Sequence, residues 1–158
     1  MAVFTAAEAL EMAMEIEKNG ETFYNAVAAK STDPEIKALF EDLADQERGH
    51  YQVFQEMLEG MKPAPELSAA EYDEYQVYVQ VALNNALFAG PPYGAGALAL
   101  AKQAEDRETA LRAAMGFEKD TMLFFYDPRE MVSEADRAAV SSVIREEKKH
   151  LRRLARLL

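Results

Sequence analysis

The sequence predicts an all-α fold in which two helical hairpins, joined by a helical crossover, form a bundle of four long helices. Helix start signals are clear, and the alternation of apolar and polar residues typical of β-strands does not occur between them. Two stretches of the chain also repeat one arrangement of glutamate and histidine, which indicates two copies of the same hairpin. These observations favour a helical bundle over a fold that contains a sheet.

Capping motifs mark where the helices begin. A Ser or Thr followed three residues later by an acidic residue satisfies free backbone N–H groups at a helix start. Thr5 with Glu8, Ser68 with Glu71, and Ser133 with Asp136 have this spacing. Asp33 before Pro34 is typical of an N-cap followed by proline at the first helical position.

These signals and the apolar periodicity predict the elements in order. We expect helices over 5–31, 34–60, 69–88, 106–126 and 134–157, with a short helical piece near 95–104. Polar or Pro/Gly-containing segments are the predicted loops: Ser31–Asp33, Gly60–Pro65, Gly90–Gly96 and Asp127–Ser133. The hairpins are then 5–60 and 106–157, and the Tyr-rich segment 69–104 connects them. Two hairpins joined by a long crossover have ferritin-like connectivity.

Composition restricts the classes of function. The chain has 158 residues, enough for the single domain, 1–158, that we expect, and its net charge is −11. That charge argues against nucleic acid and anionic membrane surfaces as partners. There is no cysteine, which excludes disulfides, thiolate metal sites and iron–sulfur clusters. Met1–Leu10 has no signal-peptide pattern and no apolar stretch approaches about 18 residues, so a cytoplasmic protein is expected.

The two histidines of the chain each follow a glutamate by three residues, on a helix face whose other positions are apolar. The first helix of each hairpin also places one glutamate on its apolar stripe, about 30 residues upstream of the Glu-Xaa-Xaa-His pair. In each antiparallel hairpin these groups lie at nearly equal distances from the turn, so they meet at one level of the bundle. The six predicted ligands are Glu17, Glu47, His50, Glu118, Glu147 and His150.

The charge of these six residues indicates a site for two metal ions. Four carboxylates buried without partners would cost far more than a domain's whole stability of roughly 5–15 kcal/mol. Protonation would reduce that cost, but two divalent cations balance the four negative charges fully. Glutamate oxygen and imidazole nitrogen suit iron, manganese or zinc, and the pattern is typical of dimetal carboxylate bundles. Ordinary surface Glu–His pairs are the alternative, and they leave the apolar stripes and the matched upstream glutamates unexplained.

At these residues the sequence resembles the rubrerythrin-type branch of the ferritin-like superfamily. The stretch 15–24, Glu-Ile-Glu-Lys-Asn-Gly-Glu-Thr-Phe-Tyr, is similar to the family's first-helix motif, and 40–50 is similar to its Glu-Xaa-Xaa-His helix. Residues 117–120 and 144–150 resemble the second half of the pattern, so the similarity covers nearly the whole chain. The chain looks like a stand-alone diiron domain, because it lacks the four cysteines of a rubredoxin domain.

The resemblance implies a non-haem centre of two iron ions that reacts with peroxide or oxygen. It implies that Glu47 and Glu147 bridge the metals and that the other four predicted ligands are terminal. Without a rubredoxin domain, electrons would come from a separate donor protein such as a rubredoxin. Rubrerythrins also carry an extra carboxylate one turn after the second-half glutamate. Here that position is Thr121, which argues against peroxide-dependent metal movement and leaves a more symmetric six-ligand set.

Three functions fit this site. We expect a redox enzyme that reduces hydrogen peroxide or oxidises Fe(II) with oxygen or peroxide. The alternatives are iron storage with slow ferroxidase activity, and a structural bundle that its metals only stabilise. Tyr24 and Tyr126, about two turns after the upstream glutamates, are candidates to hydrogen-bond a ligand carboxylate or donate an electron; otherwise they are core tyrosines with satisfied hydroxyls.

Two further groups of residues are expected to lie away from the chemistry. Tyr72, Tyr75 and Tyr78 form a ladder on the predicted crossover helix, where packing or a homodimer interface is favoured over a radical relay. Glu21, one turn after Glu17, is expected to be solvated and not a ligand.

Overall fold

A computed structural model of the protein describes residues 5–61, 68–70, 73–74, 77 and 95–158. Within these ranges the regular structure is helical and contains no strand, which confirms the predicted all-α class. The helices are α1 (Ala6–Lys30), α2 (Pro34–Glu59), α3 (Ala95–Gln103), α4 (Arg107–Met131) and α5 (Glu134–Leu157). Several predictions lie wholly or mostly outside the described ranges: the helix over 69–88, the loops Gly60–Pro65 and Gly90–Gly96, the cap of Ser68 with Glu71, and the tyrosine ladder.

The predicted caps within the described ranges begin their helices as expected. The Glu8 N–H donates to Thr5 Oγ1 at 3.3 Å, and the Thr5 N–H donates to the Glu8 carboxylate at 2.8 Å, which completes the capping box of α1. Asp33 accepts from two N–H groups of the first turn of α2, with proline at the first helical position. Ser133 caps α5, and Asp106 accepts from the Thr109 N–H at 2.7 Å to cap α4.

Contacts at one end of the bundle show in which direction each helix runs. Lys30, at the end of α1, donates to the backbone carbonyl of Ala101 in α3. Arg107, at the start of α4, donates to Asp33 Oδ2 at 2.7 Å and to the Leu157 carbonyl at 3.2 Å. The turn between α1 and α2, the start of α4 and the end of α5 therefore meet at this end. The two hairpins run in opposite directions, as ferritin-like connectivity requires.

The core lies between the hairpins and is rich in aromatic rings. Phe23, Phe40 and Phe117 are fully buried, and their rings pack against the Tyr24 ring at centroid distances of 5.4, 5.1 and 6.2 Å. Gly20 lets α1 approach this core closely, because a β carbon there would lie 2.7 Å from the Phe117 ring. None of the helices in the described ranges is long and apolar enough to span a membrane.

The end of α4 differs from the prediction. We expected the helix to end at 126 and a loop over Asp127–Ser133, but the helix continues through Pro128 to Met131. Proline within a helix removes one hydrogen bond and costs about 3 kcal/mol. Burial of Pro128 and a hydrogen bond with α5, in which Arg129 Nε donates to Ser141 Oγ at 2.9 Å, offset this cost. The loop prediction is wrong because burial and this hydrogen bond outweigh the helix-breaking effect of proline.

Candidate metal centre

All six predicted ligands lie together in the middle of the bundle and are buried. The four glutamates and His150 have no exposed surface, and His50 is 4% exposed. Four helices supply them: α1 and α4 give one glutamate each, while α2 and α5 each give a glutamate and a histidine. Ordinary surface pairs would be solvent-exposed, so the surface alternative for these residues is wrong.

The ligand atoms form two overlapping groups. In the first, one atom from each of Glu17, Glu47, His50 and Glu147 lies within 4.8 Å of the others; the second consists of Glu47, Glu118, Glu147 and His150. Glu47 and Glu147 belong to both groups and are called the shared glutamates below. We call Glu17 with His50 the first subsite, and Glu118 with His150 the second subsite. This geometry provides two neighbouring positions for metal ions with two carboxylates placed between them.

The Nδ1 atoms of both histidines face the carboxylates. His50 Nδ1 lies 2.7 Å from Glu147 Oε1, and His150 Nδ1 lies 3.0 Å from Glu147 Oε2 and 3.3 Å from Glu47 Oε1. These nitrogen atoms and the oxygen atoms of the shared glutamates and Glu17 are buried without a hydrogen-bond partner. Close approach without hydrogen-bond alignment is the arrangement expected of donors that face a common ion, so these residues fit divalent metals.

Each histidine ring is held by a residue of the opposite hairpin. His50 Nε2 lies 2.7 Å from the Glu146 carboxylate, and His150 Nε2 lies 2.8 Å from the Gln46 amide oxygen. Both partners are acceptors, so we assign the ring proton to Nε2, which leaves the Nδ1 lone pair for a metal. Sequence reasoning missed both partners. The available signal was their equivalent place in the repeat, immediately before each Glu-Xaa-Xaa-His pair.

Tyr24 contacts the centre as predicted, and Tyr126 does not. Tyr24 is fully buried, packs edge-on against Phe40 and donates from its hydroxyl to Glu118 Oε1. Tyr126 is 40% exposed, and the Arg129 guanidinium lies over its ring at 5.9 Å from the centroid. One residue earlier, the fully buried Phe125 occupies the position in α4 that matches Tyr24 in α1, seven residues after the helix's ligand glutamate.

Burial and mutual repulsion control the protonation of the cluster. Burial raises the pKa of Glu17, Glu47 and Glu118 well above the usual carboxyl range, and the Glu147 charge adds to the effect. Burial also opposes ionisation of Glu147, but its close contacts with Glu118 and both histidines outweigh burial and lower its pKa. For His50, burial is outweighed by contact with Glu147, which raises the pKa to about 9. Proton uptake and metal binding therefore compete for the same oxygen and nitrogen atoms of the cluster.

Two residues on the ligand-bearing helices lie one turn after a predicted ligand and are not themselves predicted ligands. Glu21 is 26% exposed in its side chain and pairs with Arg48 at 2.8 Å, so it belongs to the surface as expected. Thr121, at the position where rubrerythrins carry an extra carboxylate, is fully buried one turn after Glu118.

Comparison with known proteins agrees with this geometry. The Rubrerythrin family model matches residues 8–158 of the chain. A crystal structure from Thermotoga maritima, assigned as a ferritin-like diiron-carboxylate protein, superposes with a TM-score of 0.71 at 25% sequence identity. The match covers 98% of this chain and 94% of that chain. No curated protein sequence matches the chain.

Proposed function

The chain belongs to the rubrerythrin family, and from this we propose that it is a non-haem di-iron redox protein that reduces hydrogen peroxide or oxidises Fe(II) with oxygen or peroxide. The observation that carries the proposal is the buried set of four carboxylates and two imidazoles whose inward atoms lack hydrogen-bond partners. A structural bundle has no need of such a set, because an apolar core of the same volume is at least as stable.

Each ligand has a proposed role. The shared glutamates would bridge the two ions, and each subsite would hold one ion through its glutamate and its histidine Nδ1. Two divalent cations then balance four carboxylates. Zinc and manganese accept the same ligands, but iron bound here would supply electrons by cycling between Fe(II) and Fe(III).

The surrounding side chains keep the ligands in place. Glu146 and Gln46 accept from the Nε2 atoms and so turn both Nδ1 atoms inward. Tyr24 binds one oxygen of Glu118 and leaves the other, Oε2, without a protein partner. Phe117 and the other buried rings exclude bulk water, which strengthens every electrostatic interaction at the centre.

Electrons for peroxide reduction would come from another protein. The chain has no cysteine, so it cannot carry the thiolate-bound iron of a rubredoxin domain. We therefore propose a separate electron donor, such as a rubredoxin, that docks on the bundle. Reduction of one peroxide to water consumes two electrons and two protons, which matches one electron from each of two Fe(II) ions.

The first test is the metal content of protein purified without chelators. The proposal predicts about two ions per chain, mainly iron, in the wild type and fewer than one in Glu47→Ala. Glu41→Ala, an exposed position on the same helix, serves as the control and is expected to keep both ions. A wild-type protein that neither contains metal nor takes up Fe(II) anaerobically would refute the di-iron site.

The second test separates the functions. The reduced, iron-loaded protein is mixed with stoichiometric peroxide or with oxygen, and reoxidation is followed by absorbance. Faster reoxidation by peroxide supports the peroxidase, whereas faster reaction with oxygen together with cage assembly on size-exclusion chromatography supports storage. Absence of any spectral response to both oxidants contradicts a redox function and leaves the structural bundle.

A further inference from the structure

Thr121 is the one buried side chain outside the six predicted ligands whose polar atom lacks a partner within the described ranges. The residue has no exposed surface, and its Oγ1 forms no hydrogen bond. A buried hydroxyl without a partner is destabilising, and threonine within a helix commonly avoids this by donating to a backbone carbonyl of the preceding turn. Thr22, for example, donates to the Lys18 carbonyl at 2.9 Å. Thr121 does not, so its hydroxyl is available to a ligand.

The internal repeat shows where this hydroxyl lies. Glu17 of α1 corresponds to Glu118 of α4, so Gly20, three residues after Glu17, corresponds to Thr121. A β carbon at Gly20 would lie 3.1 Å from Glu47 Oε2, one of the shared glutamates. From the same correspondence we infer that Thr121 lies on the side of Glu147, the other shared glutamate.

The two sides of the centre differ at these positions. On the Gly20 side, the Phe117 ring would lie 2.7 Å from an added β carbon, so no side chain fits at position 20 unless that ring shifts. On the opposite side stands a threonine, which offers one donor and two acceptor lone pairs. Of these two positions, Thr121 is therefore the one that offers a hydrogen-bonding group to a small molecule entering the centre.

We propose that the Thr121 hydroxyl, buried one turn after Glu118 and without a hydrogen-bond partner in the described part of the chain, hydrogen-bonds the small oxygen ligand of the metal centre, namely hydrogen peroxide or its anion. The inference rests on the proposed di-iron function and names the residue that orients its substrate. A peroxide can accept from and donate to one hydroxyl, and it is small enough for a site without solvent exposure. Thr121 is thus a ligand-binding residue where related proteins carry a carboxylate.

The test uses azide as a small anionic probe of the oxidised, iron-loaded protein. Titration of the azide absorption band gives the affinity without any turnover. Thr121→Val keeps the shape and removes the hydroxyl, so we expect azide to bind about tenfold more weakly or worse. Thr121→Ser keeps the hydroxyl and should stay within about threefold of the wild type. Thr22→Val, which loses a surface hydroxyl, is the matched control.

Two results would overturn the inference. One is equal azide affinity of the wild type and Thr121→Val, each with its full complement of iron. If the Thr121→Val protein does not fold, Thr121→Ala provides the same comparison. The other is a lower melting temperature of metal-free Thr121→Val, which would show that the hydroxyl has a partner in the protein. If Thr121→Val loses azide affinity but the wild-type protein does not react with peroxide, the result would support the Thr121 site and refute only the proposed function.

Discussion

The first subsite, Glu17 with His50, and the second subsite, Glu118 with His150, present the same ligand atoms in different surroundings. The His50 ring is held by the Glu146 carboxylate, whereas the His150 ring is held by the neutral Gln46 amide. The repeat keeps the candidate metal ligands and changes the residues that surround them. The two metal ions are therefore expected to be inequivalent.

The glutamates of the two subsites also differ in their hydrogen-bond partners. Glu118 receives a hydrogen bond from Tyr24, which withdraws electron density from the carboxylate. The position matching Tyr24 is Phe125, which has no hydroxyl, and Glu17 lacks a hydrogen-bond partner at both oxygens. A carboxylate partner also makes a histidine a stronger ligand. We expect the first subsite to bind a divalent ion more tightly than the second.

The largest effect is expected from a ligand that both subsites use. Glu147→Ala removes a shared glutamate and leaves each ion with fewer donors, so the protein should retain fewer than one ion per chain instead of about two. Elemental analysis after gel filtration measures this. Glu134→Ala, at an exposed position of α5, is the control. Retention of two ions by Glu147→Ala would contradict the shared role.

The histidine variants test which subsite is stronger. His150→Ala should keep about one ion, in the first subsite, whereas His50→Ala leaves only the weaker second subsite and should keep less. Both variants remove the same side chain, so each controls for the other. Equal retention after identical dialysis, or better retention by His50→Ala, would reverse the proposed order.

Exchange of the residues that accept hydrogen bonds from the histidines should reduce the difference in metal affinity between the two subsites. Glu146→Gln is expected to weaken binding of the first Mn(II) or Co(II) ion about tenfold, at the low end for such partners because Glu146 is 43% exposed in its side chain. Gln46→Glu should strengthen binding at the second subsite. An affinity unchanged in both variants would show that the charge of these groups does not control binding.

The smallest effect is expected at Tyr24. Tyr24→Phe makes the second subsite resemble the first and deprives Glu118 of a donor. The free energy of unfolding of the metal-free protein should fall by about 1–2 kcal/mol. Chemical denaturation measures it, with the exposed Tyr126→Phe as the control. A loss of the same size in both variants would mean that the hydrogen bond with Glu118 contributes nothing specific.

The sequence predicted the cluster of four glutamates and two histidines because its signal is local and repeated. Spacing of three and four residues places Glu47 and His50 on one helix face, and the second hairpin repeats it. Distance from the turn then predicts the level at which the helices meet. The helix starts were predicted for a similar reason, since capping depends on neighbours within one turn.

What the sequence did not predict depends on contacts between hairpins. Gln46 and Glu146 reach histidines about 100 residues away, and local periodicity contains no information on such pairs. A tyrosine at 126 instead of 125 lies about 100° further around the helix, enough to turn it from the core to solvent. The continuation of α4 through Pro128 likewise depends on packing against α5.

The most direct test of the two-ion centre is a crystal structure of the iron-loaded protein with anomalous diffraction measured on both sides of the iron absorption edge. We predict two iron peaks per chain, one beside His50 Nδ1 and Glu17 and the other beside His150 Nδ1 and Glu118, both in contact with the shared glutamates. A fully loaded crystal with a single peak at the centre, or with iron only at the surface, would contradict the account.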